Sequence, residues 1–276
     1  MAWEPIYSTT NRLLLNMQQI GEALGEIKNL GLSQQSLAAL KMDARELSTY
    51  ASTSIEGNPL SLVDVKKVLK NQAKHIRASE REVLNYNQAL QRFYELVHAG
   101  KFSLSLEAVE SIQGEVVAEL MEHEADCGHI RRDAVVIRNP HKLDEIVFIP
   151  PDAKDVKSLM QDLLAYIDNH IDEVDPIILA GIFHRQCVII HPFMDGNGRT
   201  TRLVTTAILG KAGFDLFEIF SFENYYNQNI TQYFNMVGLQ GDYYEIKDTI
   251  DFTRWLEYFA GGILDELMRT RKVLYI

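Results

Sequence analysis

One run limits what this chain can fold into. From Ile177 to Ile190 the residues read IILAGIFHRQCVII, and wound as a helix they are apolar around nearly the whole circumference. Such a helix has no face to give to water, so it must run through the middle of a domain with other elements wrapped around it. It falls well short of the about 20 apolar residues that cross a bilayer, and no other run comes closer. Asp175-Pro176 starts it with a cap and a proline in the first turn. His191 is delivered at its far end.

The wrapping is itself helical. Thr9 or Thr10 can cap a first helix in which Leu13, Met17, Ile20, Leu24 and Ile27 share a face, with Gly31 as its stop. A second helical region runs from about Ser33, with a break expected near Asp43, and ends at Glu56-Gly57-Asn58-Pro59. A short helix follows Ser61 (Leu62, Val65, Leu69), then a polar connection from Asn71 to Arg77. Ser79 with Glu82 reads as a capping box ahead of Val83, Tyr86, Leu90, Phe93 and Val97. Further helices carry Leu106, Val109, Ile112, Val116 and Leu120, then Lys154 to His170. Ser221 to Val237, dense in aromatics and amides, reads as an amphipathic helix, and the last helix turns Phe252, Trp255, Leu256, Phe259, Ile263 and Leu267 inward. The apolar end Val273-Leu274-Tyr275-Ile276 is expected to continue into a longer chain or to bury against a partner.

One segment departs from helical spacing. Ala134 to Arg138 and Glu145 to Ile149 are short β-prone runs on either side of Asn139-Pro140, a hairpin pattern. By its residues alone it is a structural connector or a free edge for an extended peptide. The fold class is therefore mainly α, one helical domain with an inserted β-hairpin, with residues 1–77 as an N-terminal helical lobe packed on a core of residues 78–276.

Composition excludes several functions. Of 276 residues 46% are hydrophobic, which rules out a disordered chain. A formal charge of −11 leaves no broad basic face for sequence-independent nucleic-acid contact. Two cysteines without a CxxC pattern, Cys187 inside the apolar run, suit a reducing compartment. The N-terminus lacks a charged-then-apolar signal, so a soluble cytoplasmic protein is expected, with its oligomeric state open and a homo-oligomer included.

The chemistry gathers in His191-Pro192-Phe193-Met194-Asp195-Gly196-Asn197-Gly198-Arg199-Thr200-Thr201-Arg202. His191 titrates near neutrality and can take a proton from an attacking hydroxyl. Asp195 is a hard oxygen donor of the kind Mg²⁺ accepts alongside water and phosphate oxygens. Gly196 and Gly198 let backbone approach a ligand, and the apolar run from Leu203 places a helix N-terminus, an anion site, just behind them. Arg199 and Arg202 stand three positions apart on that helix, each able to fork onto phosphate. His184, two turns before His191, raises a His/His/Asp metal site, but the spacing lacks the i, i+4 histidine pair of zinc helices, and a packing role is favoured.

This stretch resembles the signature of the Fic family, His-x-Phe-x-Asp/Glu-Gly-Asn-Gly-Arg-x-x-Arg, with every fixed position present. The resemblance implies a helical Fic-like core and a protein adenylyltransferase, moving AMP from ATP to a Ser, Thr or Tyr hydroxyl of a target protein or of the chain itself. It implies His191 as general base, Asp195 on Mg²⁺, Gly196, Asn197 and Gly198 as phosphate cradle, Arg199 and Arg202 on the outer phosphates, and Phe193 as the anchor of the loop. In the family the hairpin is a flap that docks the target, here through Ile146, Val147 and Phe148; Gly128-His129-Ile130-Arg131 and Pro150-Pro151 resemble its flanks. Where relatives line the adenine pocket with a Tyr-Tyr pair this chain has Gln232-Tyr233, so only Tyr233 carries over, and Gln240 is a candidate for the adenine edge. Ser52-Thr53-Ser54-Ile55-Glu56-Gly57 fits the family's inhibitory pattern, in which Glu56 would pair with Arg202 and deny it to the γ-phosphate. The intact Gly-Asn-Gly-Arg favours nucleotide transfer over the phosphorylating Doc relatives. Alternatives that use the same site are transfer of another nucleotide or of phosphocholine, removal of AMP, or a module that only senses nucleotide.

Overall fold

The computed structural model of the chain describes residues 3–70, 76–139, 142–214 and 216–274, with Leu143 described by its backbone alone. Helix α1 (Asn11–Asn29) starts under Thr10, whose hydroxyl accepts the Leu13 N–H at 3.1 Å. Leu13, Ile20 and Ile27 turn inward, and Met17 and Leu24 are half-buried beside them. Helix α2 (Gln34–Ile55) is capped by Ser33 and runs unbroken. The break expected near Asp43 does not form, because that side chain points to solvent and meets Lys66 at 3.3 Å, as an exposed helical residue can. Glu56 caps the C-terminus of α2, and Gly57, at φ +94°, turns the chain away.

Helix α3 (Leu62–Lys70) packs on α4 (Ala78–His98). Most of the connection expected between Asn71 and Arg77 lies outside the described residues. The Ser79–Glu82 capping box is not formed. Arg77 holds the cap position, and its N–H donates to the Glu80 carboxylate at 2.9 Å. Glu82 thereby sits inside the helix and is left for another partner. Helix α5 (Leu106–Val117) ends before Leu120, which lies in the following turn.

Strands β1 (Ile137–Asn139) and β2 (Lys142–Ile149) pair antiparallel, with Ile137 opposite Phe148 and Arg138 opposite Ile146. Ala134 to Val136, expected in the first strand, precede it as irregular chain, and Pro140 of the turn lies outside the described residues. A third strand, β3 (Gly241–Asp242), runs parallel to β2 opposite Phe148 and Ile149. The second edge of β2 is therefore already paired at its C-terminal end.

Helices α6 (Ala153–Asn169), α7 (Pro176–Ile190) and α8 (Asn197–Lys211) follow. The stretch read as one aromatic helix is two, α9 (Phe222–Gln228) and α10 (Ile230–Val237). Asn229 breaks it at φ −146°, ψ 75°, and its side-chain carbonyl caps α10 by accepting the Gln232 N–H at 3.0 Å. A single turn, α11 (Tyr243–Ile246), leads to α12 (Thr253–Leu274).

Every residue of α7 from Ile177 is buried except Val188, as its all-round apolarity requires. Helices α6, α8 and α12 enclose it. Trp255 of α12 donates its indole N–H to the Gly181 carbonyl at 2.7 Å, and a side chain at Gly181 would strike Leu256. Of the first three helices, α1 lies along α12 and α2 on α9 and α4, both contributing to the shared core, while α3 packs on α2 and α4. At the C-terminus Val273 is exposed, and Tyr275 and Ile276 lie outside the described residues.

Candidate active site

His191 is the C-terminal cap of α7 and adopts the left-handed conformation, φ 51°, ψ 63°, with its N–H donating to the Cys187 carbonyl at 2.9 Å. That turn drops Phe193 into the core, where it is fully buried. Asn197 then closes the loop on itself: its side-chain oxygen accepts the Phe193 N–H at 2.9 Å and its amide donates to the Phe193 carbonyl at 2.8 Å. Its carboxamide is thus committed to loop shape, and what Asn197 can offer an anion is its main-chain amide. Gly196, at φ +77°, is the N-cap of α8, and a β-carbon there would stand 2.6 Å from Val117 Cγ1. Only glycine fits. The first N–H groups of α8 have no intrahelical acceptors, which makes its start the positive end of a dipole beside the loop.

Both arginines are buried. Arg199 forms ion pairs with Glu82 at 2.9 Å and with Asp195 at 3.1 Å, and its Nε has no hydrogen-bond partner. Arg202 donates from Nε to the Ser52 hydroxyl at 2.7 Å, and from Nη2 to the Ser52 carbonyl at 2.9 Å and Glu56 Oε1 at 2.8 Å. Its Nη1 is buried and unpaired. Burial opposes the charge on Arg202, but Glu56 more than restores it, so the guanidinium is held ionised. A buried unpaired donor costs roughly 1–3 kcal/mol, so a pocket holding two of them is one that oxygen-rich anions satisfy. Ser52 and Glu56, one helical turn apart on α2, share this grip on Arg202. Glu56 Oε1 also lies where a β-carbon on Gly198 would have to stand, directly over the first turn of α8.

Asp195 is exposed, and its Oδ1 accepts the Gly196 N–H at 2.6 Å and an Arg199 donor. Among the described residues no three His, Cys, Asp or Glu side chains gather into a metal cage. One exposed carboxylate beside an anion site does fit Mg²⁺, whose shell is completed by water and phosphate oxygens.

Burial pushes the His191 imidazole down to about 4, opposed by the Val188 backbone, aided by the Arg131 cation, and opposed again by Glu56 and Asp195. The ring is neutral throughout the physiological range and able to accept a proton. His184 is no metal ligand here: Nε2 meets the Tyr233 hydroxyl at 3.0 Å and Nδ1 the Thr205 hydroxyl at 3.1 Å, in full burial.

The outlying candidates are less well placed. Tyr233 is buried, stacked on Tyr226 with ring centroids 4.4 Å apart, and backs the arginine cluster without an open face in this conformation. Gln240 is exposed, adjoining the strand Gly241–Asp242 that pairs with the hairpin. Within the hairpin Ile146 is exposed and Val147 half-buried, but Phe148 packs into the core. Phe148 anchors the hairpin instead of presenting it, and among the described side chains of β2 the large apolar ones at the surface are Ile146 and Ile149.

Three contributors to the site are not read as site residues from the sequence, which places Glu82 in a capping box and Arg131 in a flank of the hairpin. Glu82 holds Arg199, and Asn58 in turn holds Glu82 at 2.7 Å. Gln113, on the buried face of α5, donates to the Asp195 carbonyl at 3.1 Å and accepts the Gly128 N–H at 2.6 Å. Its signal was a polar side chain next to Ile112 on an apolar face. Arg131, 2% exposed, donates to the His191 carbonyl at 2.8 Å.

Residues 103–209 match the family model described as Fic/DOC family. Curated relatives include proteins named protein adenylyltransferase Fic from Drosophila virilis and Drosophila melanogaster, each 26% identical over 213 residues and 76% of this chain. The match takes in 41% and 40% of those proteins, so the chain spans about two fifths of their length. Among solved structures, a Fic family protein from Desulfovibrio desulfuricans superposes with a TM-score of 0.80 at 23% identity, over 99% of this chain and 78% of its own. Fic-1 from C. elegans does so with a TM-score of 0.71 at 20% identity, over 95% of this chain and 73% of its own. These two likenesses concern the fold.

Proposed function

We propose that this chain, whose residues 103–209 match the Fic/DOC family model, transfers AMP from ATP to a Ser, Thr or Tyr hydroxyl of a protein and is restrained by Glu56. The observation that carries this reading is the meeting of a neutral His191 with two buried arginines whose free donors flank the N-terminus of α8. The Drosophila relatives bear the same activity in their names.

In the proposed reaction the target hydroxyl oxygen bonds to the α-phosphorus as its proton passes to the His191 imidazole. The bond from the α-phosphorus to the oxygen bridging to the β-phosphate breaks, and pyrophosphate leaves. The amides at the start of α8 and the Arg199 and Arg202 guanidinium groups receive the charge that builds on the phosphate oxygens. Mg²⁺ held through Asp195 would add positive charge to the same oxygens. Target presentation is assigned to the flap, with Ile146 at its surface. No helix among the described residues is long and apolar enough to cross a membrane, and a cytoplasmic site of action suits two free thiols.

Restraint follows from competition. Glu56 takes the Nη2 donor of Arg202 that an outer phosphate needs, and it fills space over Gly198. ATP bound around it would present its α-phosphate off line, and misplacement by about an ångström costs on the order of a hundredfold in rate. Incubation with ATP labelled separately on the α- and γ-phosphates tests both parts. Transfer of α-label to protein, rising on the order of a hundredfold in Glu56→Gly, is the expected outcome. Transfer of γ-label would make it a kinase, absence of both a nucleotide sensor, and equal labelling by the two proteins would remove the restraint.

A further inference from the structure

We infer that Arg131 is the positioning residue that holds the general base and the flap in one frame, with His191 and both roots of the hairpin bonded to a single guanidinium. The inference rests on the adenylyl-transfer reading for its kinetics and on geometry alone for its structure.

Arg131 is among the largest fully buried side chains of the protein. Its Nε donates to the His191 carbonyl at 2.8 Å, and Nη2 to the carbonyls of Pro151 at 2.5 Å and Ile190 at 3.4 Å. Nη1 donates to the Asp133 carbonyl at 3.0 Å, and the Arg131 main-chain N–H to the Pro192 carbonyl at 2.8 Å. Asp133 lies just ahead of β1 and Pro151 just after β2, so these are the two feet of the flap. Ile190 and His191 end the helix that presents the base. One planar fork joins all of them.

The choice of partners is informative. Every hydrogen-bond acceptor found for Arg131 among the described residues is a main-chain carbonyl, and the nearby charge of Asp152 and Tyr244 only partly offsets what burial does to its pKa, which falls. A buried cation is expensive without a carboxylate partner. Here the negative end of α7 and its unsatisfied carbonyls take that part. A carboxylate in this position would set negative charge behind the imidazole and favour its protonation. A guanidinium does the reverse: beside burial, Arg131 opposes protonation of His191, while the Val188 backbone, Glu56 from α2 and Asp195 from the loop favour it.

His191 is one of the few non-glycine residues at positive φ in this chain. Such a conformation persists only where its surroundings over-determine it. The Arg131 guanidinium bonds to the carbonyls on either side of the His191 α-carbon, those of Ile190 and His191, which resists relaxation of the loop to a commoner conformation. Because the same side chain grips Asp133 and Pro151, a target laid on the flap is set at a fixed distance from the imidazole.

The test uses the full chain with Glu56→Gly, comparing Arg131→Lys, Arg131→Met and Arg131→Ala. Lysine keeps the charge and loses the fork. Transfer of α-label is expected to fall on the order of a hundredfold, with ATP affinity by calorimetry unchanged within about twofold, since the Arg131 bonds do not reach Arg199 or Arg202. Amide exchange across residues 134–139 and 142–149 should speed up in all three variants. In Arg131→Met the His191 titration, followed by NMR, should move from about 4 toward the ordinary 6.5, and millimolar guanidinium should restore transfer to Arg131→Ala while leaving His191→Ala inactive. The inference is overturned if Lys and Met transfer at the parent rate, or if ATP affinity falls in step with transfer and guanidinium rescues nothing. Should Glu56→Gly with Arg131 intact transfer no label, the functional reading falls, and the His191 titration and flap exchange still decide the role of Arg131.

Discussion

Arg202 is the residue on which the proposed restraint turns. Its Nε and Nη2 are held by Ser52 and Glu56, and its Nη1 waits without a partner. Gly196 marks the opposite constraint, a position where nothing can be added. Gly196→Ala would combine a positive φ with a contact against Val117, and a loss of about 1–3 kcal/mol in unfolding free energy by urea titration is expected. His191 carries the pH dependence. Its folded pKa, about 4, lies below the ordinary 6.5, so the unfolded chain takes up the proton first as pH falls. Its contribution to stability is complete above pH 6.5 and is lost between there and about 4, up to about 3 kcal/mol, and His184 acts in the same direction. Transfer should instead stay level from about pH 5 to 7.5, because the imidazole remains neutral there. A rate that halves near 6.5 would mean a normally solvated base.

At the scale of elements, α2 and α7 are buried by different means. The inner face of α2 is mostly small or polar, with Ala44, Glu46, Ser48, Thr49, Ala51 and Ser52; Ile55 is its large buried apolar side chain, with Leu37 and Leu40 half-buried against the core. Polar anchors seat it: Lys41 on Glu218, the Ser48 hydroxyl on Glu223 at 3.1 Å, then Ser52 and Glu56 on Arg202. Little apolar surface holds it down, and burial of apolar area is the large term in helix docking. Ser52→Val removes the acceptor for Arg202 Nε at similar volume, and transfer by the otherwise native protein should rise severalfold, with little further effect in the Glu56→Gly background. Flap behaviour divides the same way between anchor and surface. Ile146→Asp should lower labelling of an added protein target by about tenfold through its KM, one lost apolar contact being worth about 1–3 kcal/mol, while ATP affinity stays as it was. Equal loss of both would place Ile146 at the nucleotide.

For the whole molecule, the core is organised around α7, and Trp255 is the clearest single dependence. Trp255→Phe removes the 2.7 Å indole bond to the Gly181 carbonyl and leaves unfilled volume in the core, and the midpoint of thermal unfolding should drop in keeping with a loss of about 1–3 kcal/mol. Most helices were legible because a period of 3.6 in apolar side chains is a local signal. Boundaries failed where a local pattern had a rival: Ser79 and Glu82 have the spacing of a capping box, but Glu80 caps Arg77 instead and Glu82 reaches Arg199. Asn229 split an aromatic stretch because its side chain can close a new first turn. Strand β3 was not legible, since two residues, Gly241 and Asp242, carry no pattern and owe their pairing to β2.

By itself the sequence determined that α7 would be interior, that His191 would stand at its end, and that a phosphate-type loop would open α8. These follow from composition and spacing over a few turns, where the chain is its own neighbour. The Glu56 and Arg202 pair, 146 positions apart, was foreseen only through the family resemblance. Tertiary structure alone decided that Glu82 grips Arg199, that Phe148 points inward, that Tyr233 is enclosed, and that Arg131 bonds the ends of the hairpin to the His191 turn. Those depend on how helices and strands distant in sequence come to lie against each other, which no local periodicity encodes.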